Sequence, residues 1–389
     1  MRPKSSRREF LALGLSLPAA GMISIGPMSQ LTTSAAGPSP DTAGGLSYRV
    51  LGKTGLKVTT VGFGCAYTSD ASVIERAADL GVNYFDTARV YQHGNNERMV
   101  GEALKRKRKD IILSSKTPSM RKEAALADLD TSLRELGTDY LDIWCLHGRD
   151  KPEHAPDDLI EAQQIAKKQG KIRFAGVSTH VAPVMIPFLV KKAAFDVVLV
   201  AHNFTMDKST GALLEQAAQS EMGVVAMKIM AGGSTTMKAT DPLFLKLQQP
   251  GAMLGALKWV LRNSSVHTTI PTMTDMAQLE ENLKAMQEPL TAAEEKLLAR
   301  RLEYLAPRYC RMCGECEGSC AQGLPVASIL RYLTYAEGYG QFAHGREEFQ
   351  ALPAALTTVR CDDCPSCTVT CPYRVQVTDR VRRAQELFA

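Results

Sequence analysis

Eight of the ten cysteines fall between Cys310 and Cys371, and their spacing is the first sign of chemistry in this chain. Cys310, Cys313, Cys316 and Cys320 form C-x2-C-x2-C-x3-C, and Cys361, Cys364, Cys367 and Cys371 repeat it, the second copy running into Pro372. Thiolates are soft ligands, and three at such close spacing wrap one face of an iron–sulfur cubane while the fourth is carried away by the following chain. Disulfides and a pair of zinc sites are the structural alternatives. Neither calls for the x2-x2-x3 spacing twice.

The repeated motif resembles that of two-cluster ferredoxins, in which the fourth cysteine of each run ligates the other cluster. The resemblance implies two 4Fe-4S clusters with crossed ligand sets. One set would be Cys310, Cys313, Cys316 and Cys371, and the other Cys361, Cys364, Cys367 and Cys320. Ala321, where such proteins usually carry proline, is a departure in the first copy.

A second constellation lies upstream. Asp86, Tyr91, Lys116 and His147 each stand at or just beyond the end of a β-branched run. A hydride arriving at a carbonyl carbon leaves an alkoxide, which needs a proton from a nearby acid and stabilisation as charge develops. A phenol supplies that proton, and a neighbouring ammonium brings a phenol of pKa about 10 toward working pH. Read singly, Asp86 and Lys116 make a plain ion pair and His147 a satisfied core histidine. Four together argue for a site.

The run Phe85-Asp86-Thr87-Ala88-Arg89-Val90-Tyr91, continuing through Gly94-Asn95-Asn96-Glu97 to Gly101, resembles the aldo-keto reductase signature. That resemblance assigns Tyr91 as proton donor, Asp86 and Lys116 as its tuning partners and His147 as the orienter of the carbonyl. It also implies a nicotinamide, NADP or NAD, held by Ser178, Thr179 and Asn203 at the amide and by Lys228 and Gly232 after the seventh strand. Thr272, Gln278 and Asn282 would hold it after the eighth. Met227 stands where many members stack a tyrosine on the ring, and Thr272 and Gln278 replace the usual basic residues that pair a 2′-phosphate. Around the expected pocket, Tyr67, Arg89, His93, Trp144, Arg149, His180 and Phe204 suit a small polar or anionic carbonyl compound, its alcohol, or a sugar. Cys65 and Cys145, apart from the motifs, read as buried thiols.

These residues need a scaffold. A chain of 389 residues with 45% hydrophobic content implies a globular protein with one large domain and an appendage. Eight strand candidates follow one another: Thr59 to Gly62, Asn83 to Thr87, Ile111 to Lys116, Leu141 to His147, Phe174 to Ser178, Val197 to Ala201, Val224 to Ile229 and His267 to Pro271. Amphipathic stretches such as Lys122 to Leu136 and Asp157 to Gln169 lie between them, with Gly81, Gly137, Gly170 and Gly223 placed to end helices in the left-handed conformation. This order predicts a (β/α)8 TIM barrel over residues 47–290. A doubly wound sheet is the rival, but no G-x-G-x-x-G follows the first strand. Tyr48 to Val58 reads as a hairpin closing the barrel bottom. A linker helix over 291–305 leads to an α-rich, ferredoxin-like iron–sulfur domain over 306–389.

Residues 1–36 read as a twin-arginine signal, with Arg7-Arg8 before a weakly apolar run and a small-residue stretch ending at Ala36. The partners implied are the twin-arginine export machinery and, in the periplasm, a possible redox partner protein. Losing that segment removes four basic residues and one acidic one, so the formal charge falls from +5 to +2. The basic run Lys105 to Lys109 is explained by a helix end, and no nucleic acid is expected. Two functions fit. One is a carbonyl–alcohol oxidoreductase with accessory or electron-carrying clusters. The other is an iron–sulfur electron-transfer protein whose barrel is a docking body, and a ligand-binding module without catalysis is a weaker third.

Overall fold

The structure, a computed structural model, describes residues 41–43, 45–206, 208–232 and 251–388, and the twin-arginine segment and Gly233 lie outside them. Three short antiparallel strands come first, β1 (Asp41–Ala43), β2 (Leu46–Val50) and β3 (Lys57–Thr59). The β2–β3 hairpin is the expected one. Its turn carries Leu51, fully buried with Val58, Tyr84, Val197 and Val225, so the hairpin plugs one end of the barrel with apolar side chains.

Eight parallel strands follow in sequence order: β4 (Phe63–Gly64), β5 (Tyr84–Asp86), β6 (Ile112–Thr117), β7 (Leu141–Leu146), β8 (Ile172–Thr179), β9 (Val197–Ala201), β10 (Gly223–Met227) and β11 (Thr268–Thr269). Parallel bridges from Val61 to Thr269 and from Gly64 to Thr272 join the last strand to the first and close the barrel. Two expectations shift. Thr59 belongs to the hairpin, where it pairs with Tyr48, and the first barrel strand begins four residues later at Phe63. Gly223 does not end a helix left-handed: Glu221 takes φ +62°, and Gly223 opens β10 against Leu51, where a Cβ would stand 2.7 Å from that side chain.

Helices cover the strands as the apolar spacing requires. Lys122–Leu136 buries Ala125, Leu129, Leu133 and Leu136 on one face and ends at Gly137 with φ +62°. After the barrel, the helix Ala292–Leu305 starts in a capping box of Thr291 and Glu294.

Residues 306–388 contain helices and no strand among the described residues. Val326–Tyr339, Phe342–Gln350 and Val377–Phe388 enclose a separate apolar core of Ile329, Leu333, Phe349, Val381 and Phe388. A further apolar cluster, with Phe204 and Ala231 from the barrel and Tyr309 and Met312 from this lobe, joins the two.

Candidate active site between the barrel mouth and the second lobe

Asp86 ends β5, Lys116 lies in β6 and His147 follows β7, so three consecutive strands deliver them to the same end of the barrel. Tyr91 opens the short 3-10 turn after β5, within which Gln92 and His93 adopt positive φ. The Lys116 ammonium is ion-paired with Asp86, donates to the Thr87 carbonyl at 2.6 Å and donates to the Tyr91 hydroxyl at 3.4 Å. The His147 ring meets Tyr91 edge-on, centroids 5.7 Å apart. The four predicted side chains are therefore brought together.

Their protonation follows from burial. Desolvation alone would discharge Lys116, but the Asp86 carboxylate outweighs it and holds the ammonium charged. Burial pushes the Tyr91 phenol up, and Lys116 pulls part of that back. The Lys116 charge thus acts on Tyr91 in the expected downward direction, and burial outweighs it. Burial, then the Lys116 charge, pushes His147 well below its ordinary range, so it acts as a neutral ring.

A cavity of about 430 Å³ opens over this group. Of the predicted coenzyme residues, Ser178, Met227, Lys228, Thr272, Gln278 and Asn282 line it, so one continuous space runs from Tyr91 to the segment after β11. Thr179, Asn203 and Gly232 are engaged elsewhere. Thr179 donates to Asp150 at 3.2 Å, and the Gly232 amide donates to the Tyr339 hydroxyl at 3.2 Å. Asn203 spends its amide on the Lys228 carbonyl and the Tyr309 hydroxyl.

Of the expected pocket side chains, Tyr67 and His180 line the cavity. Arg89 is bound to Glu97, Arg149 to the Thr117 and Ser119 carbonyls, Trp144 and Phe204 are buried in cores, and exposed His93 lies 3.7 Å from Glu347. Their types suited a pocket, but their neighbours in the fold claimed them first.

The sequence reading missed the far wall. Arg331, Tyr335 and Tyr339 from Val326–Tyr339, with Gln341, His344 and Glu348 beyond, face the catalytic group across the cavity. Arg331 holds Asp150 of the barrel at 2.7 Å, and Asp150 also accepts the His180 backbone amide at 2.7 Å. The helical spacing of Tyr332, Tyr335 and Tyr339 beside Arg331 was the available signal.

The cysteine loops lie in the same lobe. All ten cysteines are free thiols, and among the described residues no group of three or more His, Cys, Asp or Glu stands close enough to hold a single metal ion. Burial pushes the Cys310 thiol up to about 12, with Cys316, Cys313 and Cys371 adding to it. Burial likewise raises Cys361 to about 11, with Cys320, Cys364 and Cys367 adding to it. Thr368 ties the two loops together, donating to the Ser319 carbonyl and accepting the Ala321 amide at 3.1 Å. A proline at 321 would have no amide to give, which accounts for the departure there. Buried Cys65 and Cys145 keep their protons, burial raising both, Cys145 to about 12.

Comparison with known proteins matches residues 59–250 to the aldo/keto reductase family. The chain is an aldo-keto reductase-like oxidoreductase. The barrel is similar to "Uncharacterized oxidoreductase YqkF" of Bacillus subtilis, 29% identical, covering 61% of this chain and 90% of that protein. L-galactose dehydrogenase of Arabidopsis thaliana is 27% identical, with 62% and 89% covered. Among solved structures, the holo form of aldo-keto reductase AKR11C1 from Bacillus halodurans superposes with a TM-score of 0.57 at 26% identity, covering 65% of this chain and 95% of that one. In this barrel the second lobe forms one wall of the cavity over Tyr91.

Proposed function

We propose that this oxidoreductase interconverts a carbonyl and an alcohol, with Tyr91 as proton donor and acceptor, after twin-arginine export to the periplasm. The observation that carries the reading is the Lys116 ammonium set between the Asp86 carboxylate and the Tyr91 oxygen. When bound, a nicotinamide coenzyme, NADP or NAD, supplies or accepts the hydride. Ser178, Met227, Thr272, Gln278 and Asn282, which line the cavity, would hold it.

The rest is the work of the chain. A substrate carbonyl oxygen between Tyr91 and His147 meets a protonated phenol and a neutral imidazole, two hydrogen-bond donors aimed where negative charge develops. Tyr91 gives its proton to that oxygen, and Lys116 stabilises the phenolate left behind. In the reverse direction the phenolate accepts the alcohol proton. Asp86 keeps Lys116 charged in either direction. Capping by the second lobe excludes water, which strengthens each of these electrostatic contacts.

The two groups of four thiols are read as ligands of two 4Fe-4S clusters. Support comes from the C-x2-C-x2-C-x3-C spacing occurring twice, with Cys371 acting electrostatically on Cys310 and Cys320 on Cys361. A cubane spreads its thiolates over several ångströms, whereas one zinc ion needs all its sulfurs at about 2.3 Å.

One observation favours a second reading, an electron-transfer protein whose barrel is a docking body. Asn203 is committed to Tyr309, the residue before Cys310, so one expected nicotinamide contact is instead a link toward the first thiol group. Tyr91→Phe separates the readings. Under the first, anaerobically purified Y91F loses carbonyl turnover by roughly 10²–10⁴-fold with iron and sulfide unchanged. Turnover that persists in Y91F overturns the mechanism. Wild-type protein that reduces its iron but turns over no carbonyl selects the second reading.

A further inference from the structure

Among the described residues, one cation lining the cavity, Lys228, has no ion pair. Lys228 follows β10 with φ +58°, and its side chain lines the cavity. The ammonium lies 4.3 Å from the Tyr335 ring centre and 5.3 Å from that of Tyr339, so two aromatic faces from the second lobe hold it in place. The other two cations of the cavity are neutralised, Lys116 by Asp86 and Arg331 by Asp150. Lys228 makes no ion pair or hydrogen bond through its ammonium among the described residues.

An ammonium so placed is costly. Burial lowers Lys228 to about 7, the charges of Arg331 and Lys116 push the same way, and Glu348 alone opposes them. Glu348 is not a counter-ion within ion-pair reach, and burial raises its own carboxyl. Besides Glu348, the acidic side chains at the cavity are Asp86 and Asp150, paired with Lys116 and Arg331, and Glu281 on the wall after β11. Tyr335 is held protonated by burial, while His147, His180 and His344 are discharged by it. His344 stacks on Tyr335 with centroids 4.6 Å apart, which places an imidazole beside the phenol.

Among the described residues the site is therefore an ammonium without an ion pair, flanked by the Tyr335 phenol and the His344 imidazole, with Glu281 and Glu348 elsewhere on the cavity wall. It matches a carboxylate, which accepts hydrogen bonds only and carries a single charge. A phosphate dianion carries a second charge, and the other described cations of the cavity, Lys116 and Arg331, are already paired. We propose that Lys228, with Tyr335 and His344 of the second lobe, forms a carboxylate subsite beside Tyr91, so that the substrate is a carbonyl compound, or its alcohol, bearing a carboxylate. The proposal deepens the oxidoreductase reading and rests on it for the reaction, though not for the binding. It also gives the second lobe a direct part in recognition.

Calorimetric titration of the intact, anaerobically purified protein tests it with two matched pairs: D-glucuronate against D-glucose, and pyruvate against hydroxyacetone. Within each pair a carboxylate replaces a hydroxymethyl group. The carboxylate member is expected to bind about tenfold or more tightly, the worth of one charge-assisted hydrogen bond. Its binding near neutral pH is expected to take up a proton, read as a dependence of the heat on buffer ionisation. Lys228→Met should abolish both the preference and the uptake, while Lys228→Arg retains the preference.

Equal affinity within both pairs, absence of binding by both carboxylates, or a preference that survives in K228M overturns the subsite. So does a K228M protein that loses only its discrimination between NADPH and NADH, which would make Lys228 a coenzyme contact. A Lys228-dependent preference without turnover of any carbonyl leaves the subsite standing and removes the oxidoreductase reading. Tyr91-dependent turnover without preference does the reverse.

Discussion

Five of the seven histidines, His147, His180, His202, His267 and His344, are held uncharged in the fold, burial being the first cause for each. For His267 the geometry says the same thing independently. Its Nδ1 accepts the Val224 backbone amide at 2.9 Å, so that nitrogen cannot take a proton without breaking the bond. Burial, then Arg49, lowers it to about 4, against about 6.5 in an unfolded chain. The unfolded state therefore binds the proton first as pH falls. Stability from this residue is fully present above about pH 6.5 and is lost as pH drops toward about 4. Asp86 and Glu97, whose carboxyls burial raises, contribute with the opposite sign at the acid end. In His267→Asn the amide oxygen can still accept from Val224 but has no proton to gain. Unfolding free energies measured between about pH 7 and about pH 5 should fall less steeply in that variant, by about 2 kcal/mol over the interval. Parallel curves for the two proteins would show that His267 is not among the acid-sensitive groups.

At the scale of elements, the contact that seats the second lobe is a meeting of two glycines. Gly338, near the end of Val326–Tyr339, lies so close to Gly232 after β10 that an added Cβ would stand 2.9 Å from the Gly232 Cα and carbonyl oxygen. The sign of one substitution decides whether this contact matters. An alanine in a helix free of neighbours would stabilise by up to about 1 kcal/mol over glycine. Gly338→Ala is expected instead to destabilise by about 1–3 kcal/mol, because the obstruction is backbone and cannot rotate away. Thermal melts of the two proteins, with limited proteolysis between the lobes, check this. A rise in melting temperature would mean that the helix is not pressed against the barrel. The strands from Asn83 onward were legible because β-branched runs and turn residues are local signals. The misplacement at Thr59 to Gly62 has a physical origin: Thr59, Thr60 and Val61 suit either sheet, and nothing local tells a chain which neighbour its edge will find.

The whole molecule was legible in its parts and not in their meeting. Tyr91, Lys116, Asp86 and His147 were readable because each sits at a strand end in a recognisable run. The wall of Arg331, Tyr335 and His344 was not, since the helical spacing of its tyrosines marks a helix face without saying that the face meets the barrel. The cysteine lobe raises the same question of long-range pairing, because spacing alone does not say which fourth thiol joins which three. The grouping of Cys371 with Cys310, Cys313 and Cys316 places that set beside Tyr309, which reaches Asn203, and beside Met312, packed with Phe204 and Ala231. The set of Cys320 with Cys361, Cys364 and Cys367 instead neighbours the helix Val377–Phe388, where Gln385 binds the Cys361 amide at 3.2 Å. Under the two-cluster reading, Cys371→Ser and Cys320→Ser each lower iron from about eight to about four per chain. They should differ in reach. Cys371→Ser removes the cluster braced on the barrel and should loosen Asn203 and the cavity, weakening ligand binding there, whereas Cys320→Ser should leave binding intact. Iron and sulfide analysis with ligand titration on both variants reads this out. If Cys320→Ser proves the one that disturbs the cavity, each cluster takes its four thiols from a single run and the crossed arrangement is wrong.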